Sequence, residues 1–153
     1  MSAALTLAEP DDLDRLLAMA AKYHSEMGRP FDDAHRRAAL LPLLEGASHG
    51  AVWLIGPKMG PVGYVAVGFV WSLECAGLLG MIEEIFIREN VRGRGIGTEA
   101  LAALVARLSE TGIAGIDLTV AKENDAAWRI FSRLGFEVRS GSNAMAWRPE
   151  APA

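Results

Sequence analysis

Arg92-Gly93-Arg94-Gly95-Ile96-Gly97, followed by Thr98, is the stretch of this 153-residue chain whose residue types and spacing bear most directly on chemistry. Glycines let successive backbone N–H groups turn toward one point and let a bulky anion approach the main chain. A helix starting there adds unpaired N–H groups and the positive end of its dipole. Arg92 and Arg94 add cations, so the segment reads as a phosphate or pyrophosphate cradle. A Walker loop needs Lys before its Ser or Thr, and Thr98 lacks it. A dinucleotide turn wants G-x-G-x-x-G, whereas Gly93, Gly95 and Gly97 run G-x-G-x-G. Asp117 lies at a distance suited to a ribose contact, but antiparallel strands earlier in the chain fit a dinucleotide fold poorly. A plain glycine turn beside two solvated arginines is the simpler alternative.

The elements that must position this cradle can be read from patterning. Pro10, Asp11 and Asp12 open a helix whose face carries Leu13, Leu16, Leu17 and Ala20. A second helix is predicted over residues 33–44, after Asp32-Asp33. Residues 51–55, 62–71 and 78–87 read as strands separated by short turns, which pair antiparallel. The order then alternates: a helix over residues 97–111, a strand through Ile116, Leu118 and Val120, and a helix over residues 125–134 closed by Gly135 at C′. Phe136–Val138 and Ala144–Trp147 complete the pattern as a hairpin. The expected class is α/β, a mixed and mostly antiparallel sheet with helices on both sides.

Composition bounds the rest. Net charge is −4, hydrophobic residues make up 51% and charged residues 22%, which excludes a disordered tail. Residues 1–153 are expected to form a single domain. Mild acidity argues against nucleic acid as a partner, because phosphate backbones need a dense basic face. No apolar run approaches the ~20 residues of a membrane span, and the N-terminus lacks the basic region of a signal peptide. A lone cysteine, Cys75, favours a reducing compartment; the expectation is a cytoplasmic protein with no membrane partner. His24, His35 and His49 have no ligand spacing, so no metal is expected.

Two segments together resemble the GNAT superfamily of acetyl-CoA-dependent N-acetyltransferases. The R-x-x-G-x-G run of Arg92–Gly97 is similar to that family's pyrophosphate-binding motif. Asn124 to Phe136 resembles its N-x-x-A-x-x-(aliphatic)-(aromatic)-x-(basic)-x-G-F segment. The resemblance implies a GNAT-like N-acyltransferase fold, acetyl-CoA as acyl donor without metal, and a small-molecule or protein amine as acceptor; it also allows a homodimer. Residue by residue, it implies that backbone groups of Ile85 and Ile87 hold the thioester and pantetheine arm. It implies that amides from Arg92 through Gly93, Arg94, Gly95, Ile96 and Gly97 to Thr98 bind the pyrophosphate. Asn124 is implied to contact the cofactor arm, and is equally an ordinary N-cap.

Acyl transfer needs the free amine. Deprotonating a lysine-like amine at pH 7 costs about 4–5 kcal/mol, and a nearby carboxylate can take that proton. Glu83 and Glu84 stand on the strand leading to the cradle, where family members often carry such an acid. Alternation sends them to opposite faces, so one is expected in the cleft, with Glu83 favoured. The plainer alternative pairs one with Arg88 or Arg92. Many family members have Tyr where this chain has Phe131, and Phe donates no proton; Phe131 can still pack on the pantetheine arm. Water, Tyr64 or Ser132 are the remaining proton sources for the leaving thiolate. The acceptor is expected to be small and cationic, with Asp32, Asp33, Glu74, Glu83 and Glu84 as an acidic lining. A silent CoA-binding sensor or partner module is the alternative to an enzyme.

Overall fold

Local chemistry starts the helices where patterning places them. In this computed structural model, which describes residues 4–149, Asp12 accepts a hydrogen bond from the Glu9 N–H at 2.9 Å in a single 3-10 turn, Pro10–Asp12. Helix α1 (Leu13–Glu26) follows directly. Asp32 caps α2 (Asp33–Leu44) by accepting from the His35 N–H at 2.8 Å. Four antiparallel strands and one parallel strand make the sheet: β1 (Leu5–Leu7), β2 (Gly50–Ile55), β3 (Gly63–Ser72), β4 (Gly77–Ile87) and β5 (Gly115–Leu118), in spatial order one to five. Helix α3 (Ile96–Glu110) is the crossover that makes β5 parallel to β4. The α/β class and the mixed, mostly antiparallel sheet expected from the sequence are observed.

The described residues up to Ala121 form one compact unit, and those from Lys122 onward a second. In the first, strand alternation sorts the core into two layers. Val52, Leu54, Tyr64, Ala66 and Phe86 pack with Leu16, Met19 and Tyr23 of α1 and Leu40 and Leu44 of α2. On the other face, Val67 and Leu108 of α3 both close on Gly80, so that a Cβ there would lie 3.2 Å and 3.6 Å from them. Helices therefore cover both sides of this sheet.

One irregularity matters for the site. Val67 pairs with Ile82 and Ala66 with Glu84, leaving Glu83 as a surplus residue in β4, a β-bulge. The ladder to β5 runs only from Leu79 to Ile82. Beyond the bulge, the β4 edge through Ile85 and Ile87 faces no paired residue of β5.

The second unit contains α4 (Asp125–Arg133). Asn124 caps it, accepting from the Ala127 N–H at 3.2 Å, and Gly135 follows at C′ with φ +91°. The expected closing hairpin is not formed: residues 136–149 contain no strand, and Val138, Met145 and Trp147 are exposed. A two-stranded hairpin has little stability of its own, and these side chains bury too little to supply it.

Candidate functional site

The glycine stretch forms a left-handed loop that runs straight into α3. Gly93 and Gly95 both have φ +79°, in the left-handed region where a Cβ is costly. Gly95 is the N-cap of α3 and offers no side-chain cap. The first intrahelical bond is Glu99 N–H to Gly95 carbonyl at 3.0 Å, so the N–H groups of Ile96, Gly97 and Thr98 have no acceptor in the helix. A Cβ added at Gly93 or Gly95 would meet nothing within 4 Å, which leaves room for a bulky anion against the main chain. Diphosphate and an extended arm fit this chain on two counts: the open donors of the cradle, and the unpaired β4 edge at Ile85 and Ile87.

The two arginines differ. Arg92 turns away from the loop: its Nε donates to the Ile87 carbonyl at 2.7 Å and its Nη2 to both Glu26 oxygens at 2.8 and 2.9 Å, with the guanidinium 5.5 Å from the Phe86 ring centre. This bidentate pair ties the end of α1 to the cradle. Arg94 is exposed and, among the described residues, has no hydrogen-bond or ion-pair partner.

Glu83 and Glu84 do not part to opposite faces. The bulge cancels the alternation, and both line one cleft of about 240 Å³ between β3–β4 and the α1–α2 pair. Their surroundings differ. Glu84 is held at both oxygens, Oε1 accepting from the Tyr64 hydroxyl at 2.8 Å and Oε2 lying 2.8 Å from His24 Nε2. Arg29 Nη1 lies 4.0 Å from the same Oε2. His24 is buried, and its Nδ1 has no partner. A proton on Nδ1 would be an unsatisfied buried donor, which assigns the proton to Nε2, donating to Glu84. Glu83 is exposed and accepts no hydrogen bond among the described residues. Neither glutamate pairs with Arg88, which donates to the Pro61 carbonyl, or with Arg92.

Burial first, then the Glu84 charge and its hydrogen bond, hold the Tyr64 hydroxyl well above the usual tyrosine range. A fully buried phenol committed to Glu84 is a poor proton donor, which removes Tyr64 as a stand-in acid. The lining is also less acidic than expected. Asp32 is used as a cap and Asp33 is bound by Arg36 at 2.8 and 2.9 Å. Glu74 lies outside the cleft in the β3–β4 turn, where Cys75 is also exposed. His24, Phe31 and His35 line the cleft instead, with the Phe31 and His35 rings stacked at 3.9 Å. Sequence reasoning passed over this cluster because His24 sits within an ordinary apolar helix pattern. In the second unit, Phe131 packs edge-on to Phe136 at 5.8 Å. Among the described residues there is no His/Cys/Asp/Glu group that could hold a metal, and no helix is long and apolar enough to cross a membrane.

Comparison with known proteins gives a consistent set of likenesses. The family model described as the acetyltransferase (GNAT) family matches residues 13–136. An uncharacterized N-acetyltransferase of Methanocaldococcus jannaschii is 36% identical over 78 residues, 50% of this chain and 34% of that one. An L-methionine sulfoximine/L-methionine sulfone acetyltransferase of Pseudomonas aeruginosa is 31% identical over 78 residues, 50% of this chain and 44% of that one. The chain thus spans less than half the length of these curated relatives. An integron cassette protein from the mobile metagenome of Cole Harbour Salt Marsh superposes with a TM-score of 0.82 at 26% identity, covering 97% of this chain and 91% of that one.

Proposed function

The chain belongs to the GNAT acetyltransferase family, and we propose that it moves an acetyl group from acetyl-CoA to a primary amine by direct attack. One observation carries this reading: the strand that ends at the anion cradle also presents two carboxylates, Glu83 and Glu84, to a single cleft. Acetyl-CoA supplies the thioester, an acyl group already activated toward nitrogen nucleophiles. The amides of Ile96, Gly97 and Thr98, with the Arg94 side chain, receive its diphosphate, and the free β4 edge at Ile85 and Ile87 receives the arm. Asn124 and Phe131 keep the arm-binding roles that the family resemblance implies, and Phe131 brings no proton.

The two glutamates divide the work. Glu84 is held at both oxygens by His24 and Tyr64, so its position is fixed; it draws in the acceptor ammonium and orients it. Glu83, without a partner among the described residues, takes the ammonium proton directly or through one water. The neutral nitrogen then attacks the thioester carbonyl, the carbon–sulfur bond breaks, and the proton released from nitrogen returns through water to the departing thiolate. Neither Phe131 nor Tyr64 is needed as an acid.

Free CoA release, followed with a thiol reagent across an amine panel, tests the proposal. Turnover that falls about a hundredfold in Glu83→Gln with acetyl-CoA affinity unchanged is the expected result. Binding of acetyl-CoA with no amine accepted would instead describe a silent CoA-binding module.

A further inference from the structure

We infer that the acceptor is a primary monoamine on an apolar body, inserted amine first. This rests on the acetyl-transfer reading above and names the substrate class of the same cleft. The two carboxylates both stand on the β4 bulge, at one place in the lining. Ala20, Ala39, Leu40 and Leu43 supply apolar surface, and the stacked Phe31 and His35 rings supply a flat aromatic one. Arg36, the cationic residue of the lining, has its guanidinium committed to Asp33 and to the Phe31 carbonyl. Asp32 and Asp33, which would have made the helix side acidic, are consumed by the cap and by Arg36.

Charge therefore has one place to go. A second ammonium on the acceptor would leave water for an apolar wall with no carboxylate beside it. An α-carboxylate next to the reacting nitrogen would meet Glu83 and Glu84 at close range. A cleft of about 240 Å³ lies below the usual span for drug-sized ligands. It suits an alkyl or arylalkyl chain of a few carbons.

Matched amine pairs test this with the full-length protein and acetyl-CoA. From methylamine through propylamine to pentylamine, kcat/KM should rise about fourfold per methylene until the cleft is full. Putrescine should run at least about tenfold slower than butylamine, and leucine at least about tenfold slower than isoamylamine, its decarboxylated counterpart. Ala39→Asp adds a carboxylate to the wall at an exposed helix position, and it should shrink the butylamine–putrescine gap about tenfold, with only the fall of about 1–3 °C in melting temperature that the lower helix propensity of Asp brings. Putrescine or leucine matching its simple-amine partner would overturn the inference while leaving acetyl transfer intact, as would an unchanged gap in Ala39→Asp. No turnover with any amine would overturn both.

Discussion

Substituting Gly95 separates backbone shape from charge in the cradle. Its φ of +79° makes any L side chain there cost about 1–2 kcal/mol, or about 2–8 °C of melting temperature at this chain length. No atom lies within 4 Å of the added Cβ, so a side chain meets no steric block at that point. Gly95→Gln and Gly95→Glu therefore share the strain and the bulk, and differ in one charge. That charge, at about 5 Å from a diphosphate, is worth about 1–3 kcal/mol per charge pair between the water and protein-surface limits. Two charges on the ligand give a gap of about 30-fold or more in the dissociation constant for CoA, read by calorimetry at low salt. Raising ionic strength to 1 M shortens the screening length to about 3 Å and should close most of the gap. Equal affinities for the Gln and Glu variants at low salt would refute the assignment of this loop to the diphosphate, whatever the activity of either.

Other consequences can be measured directly. Glu83→Gln should lower kcat with little change in the KM for the amine, whereas Glu84→Gln should act mainly through a higher KM. Tyr64 is held protonated by the fold, so the folded state keeps a proton that the unfolded chain releases above about pH 10. Its contribution is complete below that pH and erodes by about 1.4 kcal/mol per pH unit above it, and Tyr64→Phe should flatten the fall in stability seen by denaturant titration at pH 10–11.5. Arg94→Ala should weaken CoA binding by several-fold and reduce its salt dependence. Glu26→Gln should lower the melting temperature slightly, because it cuts the bidentate pair to Arg92.

Much of the frame was legible because it is local. Helix starts followed acids and Pro, strands followed β-branched runs, and the open loop before α3 announced itself through Gly93 and Gly95. What was hidden is non-local or depends on register. Arg92 reads as a cradle cation, yet its partner Glu26 is 66 residues away. His24 reads as one more residue on α1, yet it meets Glu84 60 residues later. Phe31 and His35 lie four apart on a loop and a helix start, and nothing in their spacing predicts a stacked pair lining a cleft. The alternation rule parted Glu83 from Glu84 because it assumes an unbroken strand, and no composition signal marks the surplus residue. Phe136–Val138 and Ala144–Trp147 have strand-like composition, but propensity alone supplies no ladder.

The surplus residue also makes β4 change parity midway. Ile82 and Glu84 are two apart, yet one belongs to the layer under α3 and the other to the layer under α1 and α2. Point substitutions at Glu83 leave that offset alone, whereas deleting Glu83 would remove it. Ile82 and Phe86 would then stand three apart in a regular strand, still opposite Val67 and Tyr64 and still on opposite faces, while the cleft loses one of its two carboxylates. The packing of this short interval should accordingly survive the loss of that one residue, and the cost should fall on turnover.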